Sequence, residues 1–223
     1  LRLQGSVFCR AELSAPWGIA LEPQDYAHFH VLEQGNAWLR LRGAERPQPV
    51  GEGDLVLIPH GGGHSLTDVP TTPPVPLGSL VMRLGPGGQY NVIHCGGGGG
   101  ATRLICGAFR FGASARHPLL AALPPVILVR GSAGRPAARL EPILDFLGDE
   151  ARRDQPGAEM VISRLNDVIF IQAVRAWMET RPWTESGWLG ALRDPQVGQS
   201  LALLHLHPER PWTVAALAAE VGM

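Results

Sequence analysis

The chain has 223 residues, with 19 Lys+Arg against 20 Asp+Glu and a formal net charge of -1. Every one of those cations is Arg, because the sequence contains no Lys. That excludes the Walker A phosphate loop, the pyridoxal Schiff base and kinase-type phosphoryl transfer, and the balanced charge argues against coating nucleic acid by bulk electrostatics.

Length divided by roughly 150 residues per domain gives one to two domains. A hydrophobic content of 45% is enough for a buried core. Cys9, Cys95 and Cys106 form no Cys-x-x-Cys pair and leave one unpaired, which fits a reducing compartment and not a disulfide framework. No signal peptide and no membrane span are expected: Leu1 to Arg10 lacks a charged segment followed by an apolar run, and no apolar stretch reaches spanning length. The chain opens without Met and stops at Gly222-Met223 inside a helical pattern, as a piece of a longer protein would.

Up to about residue 131, Gly and Pro punctuate short apolar runs; beyond it, apolar residues recur at helical spacing. Strands are predicted from Val7-Phe8 onward, then at Trp17 to Leu21, Tyr26 to Leu32, Ala37 to Leu41, Asp54 to Ile58, Leu80 to Met82, Thr102 to Phe111 and Val126 to Val129. About eight short strands with Gly/Pro turns imply a sandwich or barrel. Val69 to Pro76 and Gly85 to Gly100 read as mobile, the five glycines at the end of the latter being a flexible connection and not a phosphate loop. After a linker-like segment, Leu140, Ile143, Leu144 and Leu147 mark an amphipathic helix that Pro156-Gly157 interrupts. A longer helix is predicted from Glu159 to Met178. Its apolar set exceeds one stripe, which fits either a helix sandwiched in its own core or one with a second partner; Val161, Leu165, Val168, Ile169 and Gln172 are the candidates to meet a second copy in a homodimer. Asp194-Pro195 is an N-cap followed by Pro at the first helical position, and Thr213 caps a last helix.

The densest chemistry lies between residues 24 and 68. His28 and His30 are two apart in a strand pattern and share a face. Gly53, Pro59, Gly61 and His64 then follow a strand with the spacing Gly-x5-Pro-x-Gly-x2-His. This resembles the second motif of the cupin superfamily, with Asp68 where that motif ends in Asn. The first motif is partly met. The Glu that should follow the second His by three or four residues comes after two, at Glu33, and strand alternation turns it away from the two His. Glu33-Gln34-Gly35 is read as a hairpin turn. His60 and His64 cannot form a zinc helix, because glycines separate them. His94 and His117 fall in loop-like sequence.

From Pro208 to Met223 the chain resembles the first helix-turn-helix of AraC-type transcription regulators, with Trp212, Ala218 and Gly222 as residues of that fold. Ala at this place lets helices approach, and Gly tolerates a turn with positive φ. The resemblance extends along the whole chain to the AraC-type subgroup with an N-terminal cupin sensor. It implies an α+β architecture: a cupin-like antiparallel barrel over 1–130, a helical linker and dimerisation region over 131–189, and the start of a DNA-binding domain over 190–223, without its recognition helix. It also implies a cytoplasmic, dimeric regulator that answers a small-molecule or metal effector and has operator DNA as the partner of the full-length protein. Because residues 130–223 carry 10 Arg against 12 Asp+Glu, the chain alone is expected to bind operator DNA poorly. A metal-dependent cupin enzyme, a dioxygenase or isomerase, is the alternative; it leaves the tail unexplained. No catalytic residue is assigned. A divalent metal, zinc above all, held by some of His28, His30, His64 and Cys106 is one expectation for the barrel, since a closed His/Cys set is tetrahedral. Against it stands the reading of these side chains as satisfied core groups, with Cys106 a small buried hydrophobe.

Overall fold

The computed structural model describes residues 3–80, 82–84, 91–111, 118–131, 140–152, 155–179 and 194–223. His117 and most of the linker-like segment lie outside these. The chain divides into two compact units, Leu1–Trp177 and Met178–Met223.

The first unit is built on strands β1 (Leu3–Ser14), β2 (Gly18–Leu21), β3 (Ala27–Gln34), β4 (Ala37–Leu41), β5 (Gln48–Val50) and β6 (Leu55–Ile58). Strands β7 (His64–Thr67), β8 (Val75–Pro76), β9 (Met82–Leu84), β10 (Asn91–Gly96), β11 (Ala101–Phe111) and β12 (Ile127–Val129) complete the set. A seven-stranded sheet has the order β12-β6-β3-β11-β1-β10-β9, and a five-stranded sheet the order β5-β4-β7-β2-β8. The two share one core: Ala11, Leu13, Leu32, Val56, Ile58 and Leu104 from the larger sheet meet Ile19, Ala37, Leu39, Val50 and Leu66 from the smaller. The expected barrel is thus a pair of facing sheets, and among the described strands none of one sheet is hydrogen-bonded to the other.

The structure departs from the sequence-based expectation at two places. β3 and β4 do not form a hairpin: they lie in different sheets, and the chain crosses between them at Gly35, where φ is +85°. Residues 85–100 are not all loop, because β10 occupies Asn91–Gly96 and carries His94. β10 runs parallel to β1, and β11 antiparallel to it, on opposite sides. The glycines after β10 carry the chain across the end of β1. Gly97 donates to Ser14 O at 3.0 Å and Gly99 to Ala15 O at 2.8 Å, so the run is tied down and close to backbone.

Helices follow the strands. Helix α1 (Pro118–Ala121) is a single turn, and α2 (Glu141–Arg152) and α3 (Ala158–Glu179) match the helical spacing of the sequence. α3 docks on the larger sheet through Phe170, whose ring meets Phe109 edge-on at 5.5 Å, while Phe109 stacks on Phe29 at 5.2 Å. α2 and nearly all of α3 therefore belong to the same compact unit as the sheets. In the second unit, α4 (Pro195–Leu206) is capped by Asp194, whose carboxylate accepts from Gln196 N and Val197 N. Thr213 caps α5 (Val214–Glu220) by accepting from Ala216 N. Gln196 Nε2 donates to Gly222 O at 3.0 Å and ties the two helices together. Among the described residues no helix is long and apolar enough to cross a membrane.

Gly107 sets the register of β11 on β3. It lies opposite Phe29, and a Cβ at 107 would overlap the Phe29 ring. Forcing a methyl into a packed core costs about 1–3 kcal/mol. Gly107→Ala is expected to lower stability by about that amount, read as a fall in urea midpoint without a change in slope. An unchanged midpoint would show that the ring is free to move aside.

Candidate functional site

His28 and His30 point from β3 into the space between the sheets, and both are buried. His64 reaches the same space as the first residue of β7. The Gly53–His64 motif has a mechanical reason. Gly61 has φ +63°, and a Cβ there would overlap the carbonyl oxygens of Gln24 and Tyr26. Only glycine lets the chain turn this tightly and deliver His64 inward. Asp54 anchors the start of the motif. It accepts from Arg130 Nη1 at 2.7 Å, from Gly131 N at 2.8 Å and from Gly51 N at 2.9 Å.

The imidazoles form a directed relay. Gly62 O lies 2.9 Å from His64 Nδ1 and can only accept, so His64 carries its proton on Nδ1. His64 Nε2 is then an acceptor, and His30 Nε2 donates to it at 2.8 Å. His30 Nδ1 is left as an acceptor facing Cys106 Sγ at 3.2 Å, so the thiol donates. The direction requires neutral rings. Burial lowers the pKa of His64, and burial together with the other two rings holds His30 well below its ordinary value. Burial and the neighbouring His64 bring His28 down to about 4. Its hydrogen bond to Cys9, reinforced by burial, pushes the Cys106 thiol well up, so it keeps its one proton, which Cys9 Sγ and His30 Nδ1 compete to accept.

His28, His30, His64 and Cys106 thus meet at one place. They do not enclose one point. A ring gives a metal one nitrogen, and His30 turns Nε2 to His64 but Nδ1, on the opposite side of the ring, to Cys106. Among the described residues no group of three or more His, Cys, Asp or Glu side chains could hold a metal ion as arranged. Glu33 is on the other face of β3, where both of its carboxylate oxygens accept from Arg10 Nη2, at 2.8 and 3.0 Å. His60 is spent on Leu123 O at 2.9 Å, and His94 lies 3.5 Å from Glu12 on the surface.

Beside the His cluster is a cavity of about 100 Å³. Ala11, Ile19, Leu21, Leu66, Leu77, Ile93 and Leu104 give it apolar walls, and Tyr26, His28, His30, Cys9 and Cys106 supply its polar edge. His28 Nε2 is buried and has no hydrogen-bond partner. Cys9 and Tyr26 were not legible as site residues. Tyr26 precedes a predicted strand and carries no motif. Cys9 depends on which strand β1 pairs with, which spacing within one segment does not encode.

The dimerisation candidates divide. Ile169 is fully buried inside its own chain, on the face of α3 that carries Phe170, and cannot meet a partner. Val161, Leu165 and Gln172 are half-buried and Val168 is 38% exposed; at helical spacing these four make one stripe. In the second unit Trp212 is half-buried and donates from Nε1 to His207 O at 2.9 Å. Ala218 is half-buried and Gly222 has φ +73°, as a glycine ending a helix should.

The sequence model of the cupin family Cupin_6 matches residues 1–179, and the chain belongs to that family. It is 30% identical over 91% of its length to a protein of Streptomyces lividans named as an AraC-like transcription regulator, of which it spans 64%. It is 28% identical over its full length to the HTH-type transcriptional regulator AlkR of Acinetobacter baylyi, spanning 72% of that protein. The chain is thus similar to named transcription regulators over roughly two thirds of their length. Among solved structures, apo ToxT from Vibrio cholerae is 12% identical, with a TM-score of 0.45 over 100% of this chain and 73% of that one.

The buried rings make stability depend on pH. His28 titrates at about 4 in the folded protein, below its ordinary value of 6.5. The unfolded chain therefore binds more protons in that window, and stability is full above it and lost as pH falls through it. His30 and His64 shift in the same direction. Urea midpoints are expected to fall between about pH 7 and about pH 5, and the slope to become shallower in His28→Asn. A midpoint independent of pH over that range would contradict neutral buried rings.

Proposed function

We propose that this chain is the sensor and the beginning of the DNA-binding part of a cytoplasmic AraC-type transcription regulator. Its cupin domain takes a small effector, and occupancy alters sequence-specific binding of operator DNA by a homodimer. The relatives' names support the class. The observation that carries the sensor reading is the cavity of about 100 Å³ with the unpartnered His28 Nε2 at its edge. A cavity of roughly 150 Å³ with apolar walls takes benzene, so this one, at about 100 Å³, must widen to admit a single aromatic ring. The effector chemistry that fits is a compact apolar molecule carrying one hydrogen-bonding group for His28. The stripe Val161, Leu165, Val168 and Gln172 is the proposed dimer contact.

A second reading keeps zinc as the effector. His28 Nε2, together with His30 and His64, is the donor set that supports it, after rotation of His30 away from Cys106.

Thermal shift on the chain separates the two. Phenol is expected to raise the melting temperature more than toluene does, and His28→Phe to abolish the difference. At a hundredfold excess over Kd such a ligand stabilises by about 2.7 kcal/mol. Stabilisation by zinc, reversed by a chelator and lost in His64→Ala, would favour the metal. No response to any of these, in protein whose circular dichroism is native, would overturn the sensor reading.

A further inference from the structure

Cys9, Cys106 and His30 stand side by side on three neighbouring strands. Cys9 lies opposite Cys106 on the antiparallel pair β1–β11, and Cys106 lies opposite His30 on β11–β3. Both cysteines are free and half-buried, and both belong to the cavity wall. Their thiols share a hydrogen bond. Directly opposed residues on antiparallel strands have Cβ atoms about 4.5–5.5 Å apart, and a disulfide closes at about 3.5–4.5 Å. A small approach of the two strands joins them.

We infer that Cys9 and Cys106 form a reversible dithiol–disulfide site in the cavity wall, which takes a small oxidant of the hydroperoxide class. One thiol attacks the peroxide: an S–O bond forms, the O–O bond breaks, and the alcohol, or water from hydrogen peroxide, leaves with the thiol proton. The second thiol attacks the sulfenic sulfur: the S–S bond forms, the S–O bond breaks, and water leaves with the second proton. Two thiols are oxidised by two electrons and one peroxide is reduced. Closure removes the Cys106 hydrogen that His30 Nδ1 accepts, so oxidation reaches the His relay directly. The site is independent of what the cavity binds, because it rests on the register of β1 and β11 alone.

Cys95 is the internal control. It lies opposite Leu13, four residues along β1 from Cys9, or about 13 Å at the rise of a strand. No small movement brings it to either partner.

The test uses the whole chain, reduced and then treated with hydrogen peroxide while circular dichroism remains native. Free thiols are blocked under denaturing conditions and the peptides are mapped by mass. The expected product is a Cys9–Cys106 linked pair within one chain, lighter by two hydrogens and reversed by dithiothreitol. It should form equally in Cys95→Ser and be absent in Cys9→Ser. Cys106→Ala serves if Cys9→Ser does not fold. Three blockable thiols after a treatment that fully oxidises a dithiol peptide would overturn the proposal. So would a linkage found only between chains, or one that uses Cys95.

Discussion

β3 is buried on both faces from Ala27 to Leu32, and this constraint governs the rest of the first unit. Alternation sends His28, His30 and Leu32 between the sheets and Phe29 to the opposite side, against Phe109. Burying an unpaired polar group costs several kcal/mol, so two histidines in such a strand need partners. His30 obtains two, from β7 and β11, and His64 obtains its own from the turn before β7. The core face fixes the site face. Gly107 leaves room for Phe29, that contact sets how β11 lies on β3, and the same register brings Cys106 opposite His30.

What the sequence made legible follows the range of each interaction. His28 and His30 on one face, the Gly53–His64 turn, the capped starts of α4 and α5 and the extent of α3 all depend on residues a few positions apart. Each is present in the structure at or within a residue or two of its predicted place. Cys106 pointing inward follows from parity with Leu104, and it does point inward. The losses are longer-ranged. β10 was hidden because its pairing with β1 joins segments some eighty residues apart, with glycines around it that mimic a loop. β5 and β8, at three and two residues, carry too little periodicity to be read. Cys9 and the assignment of Ile169 to the inner face of α3 both required knowing what packs against the element.

Burial sets the charge state of the cluster. Glu33, which a complete cupin ligand set would require nearby, pairs with Arg10 on the opposite side of β3. On the inner side burial holds three imidazoles below their ordinary pKa, and the Cys9 hydrogen bond with burial holds the Cys106 thiol above its own. All are neutral at pH 7, and the hydrogen bonds have one direction, ending on Gly62 O. Such a cluster offers an entering molecule no full charge. It offers His28 Nε2, the ring atom that the relay leaves out. A neutral hydrogen-bonding group gains there without stripping a counter-ion of water, whereas a carboxylate entering the same cavity would lose its hydration against neutral partners.

The two faces of β3 and β11 also connect the cavity to α3. Cys106, Gly107 and Ala108 line the cavity, and the next residue, Phe109, carries the ring that touches Phe170 of α3. Phe29 sits between His28 and His30 and stacks on the same ring. A strand is stiff along its length, and close-packed interiors transmit displacement instead of absorbing it. A ligand or a disulfide that moves β11 against β3 therefore moves the seat of α3, whose outer stripe is the proposed dimer contact. The size of any response is bounded by how differently the ligand binds the two arrangements: a hundredfold preference shifts the balance by about 2.7 kcal/mol and no more. The Phe29–Phe109–Phe170 stack gives that preference a short path, two ring contacts from the site strand to the helix.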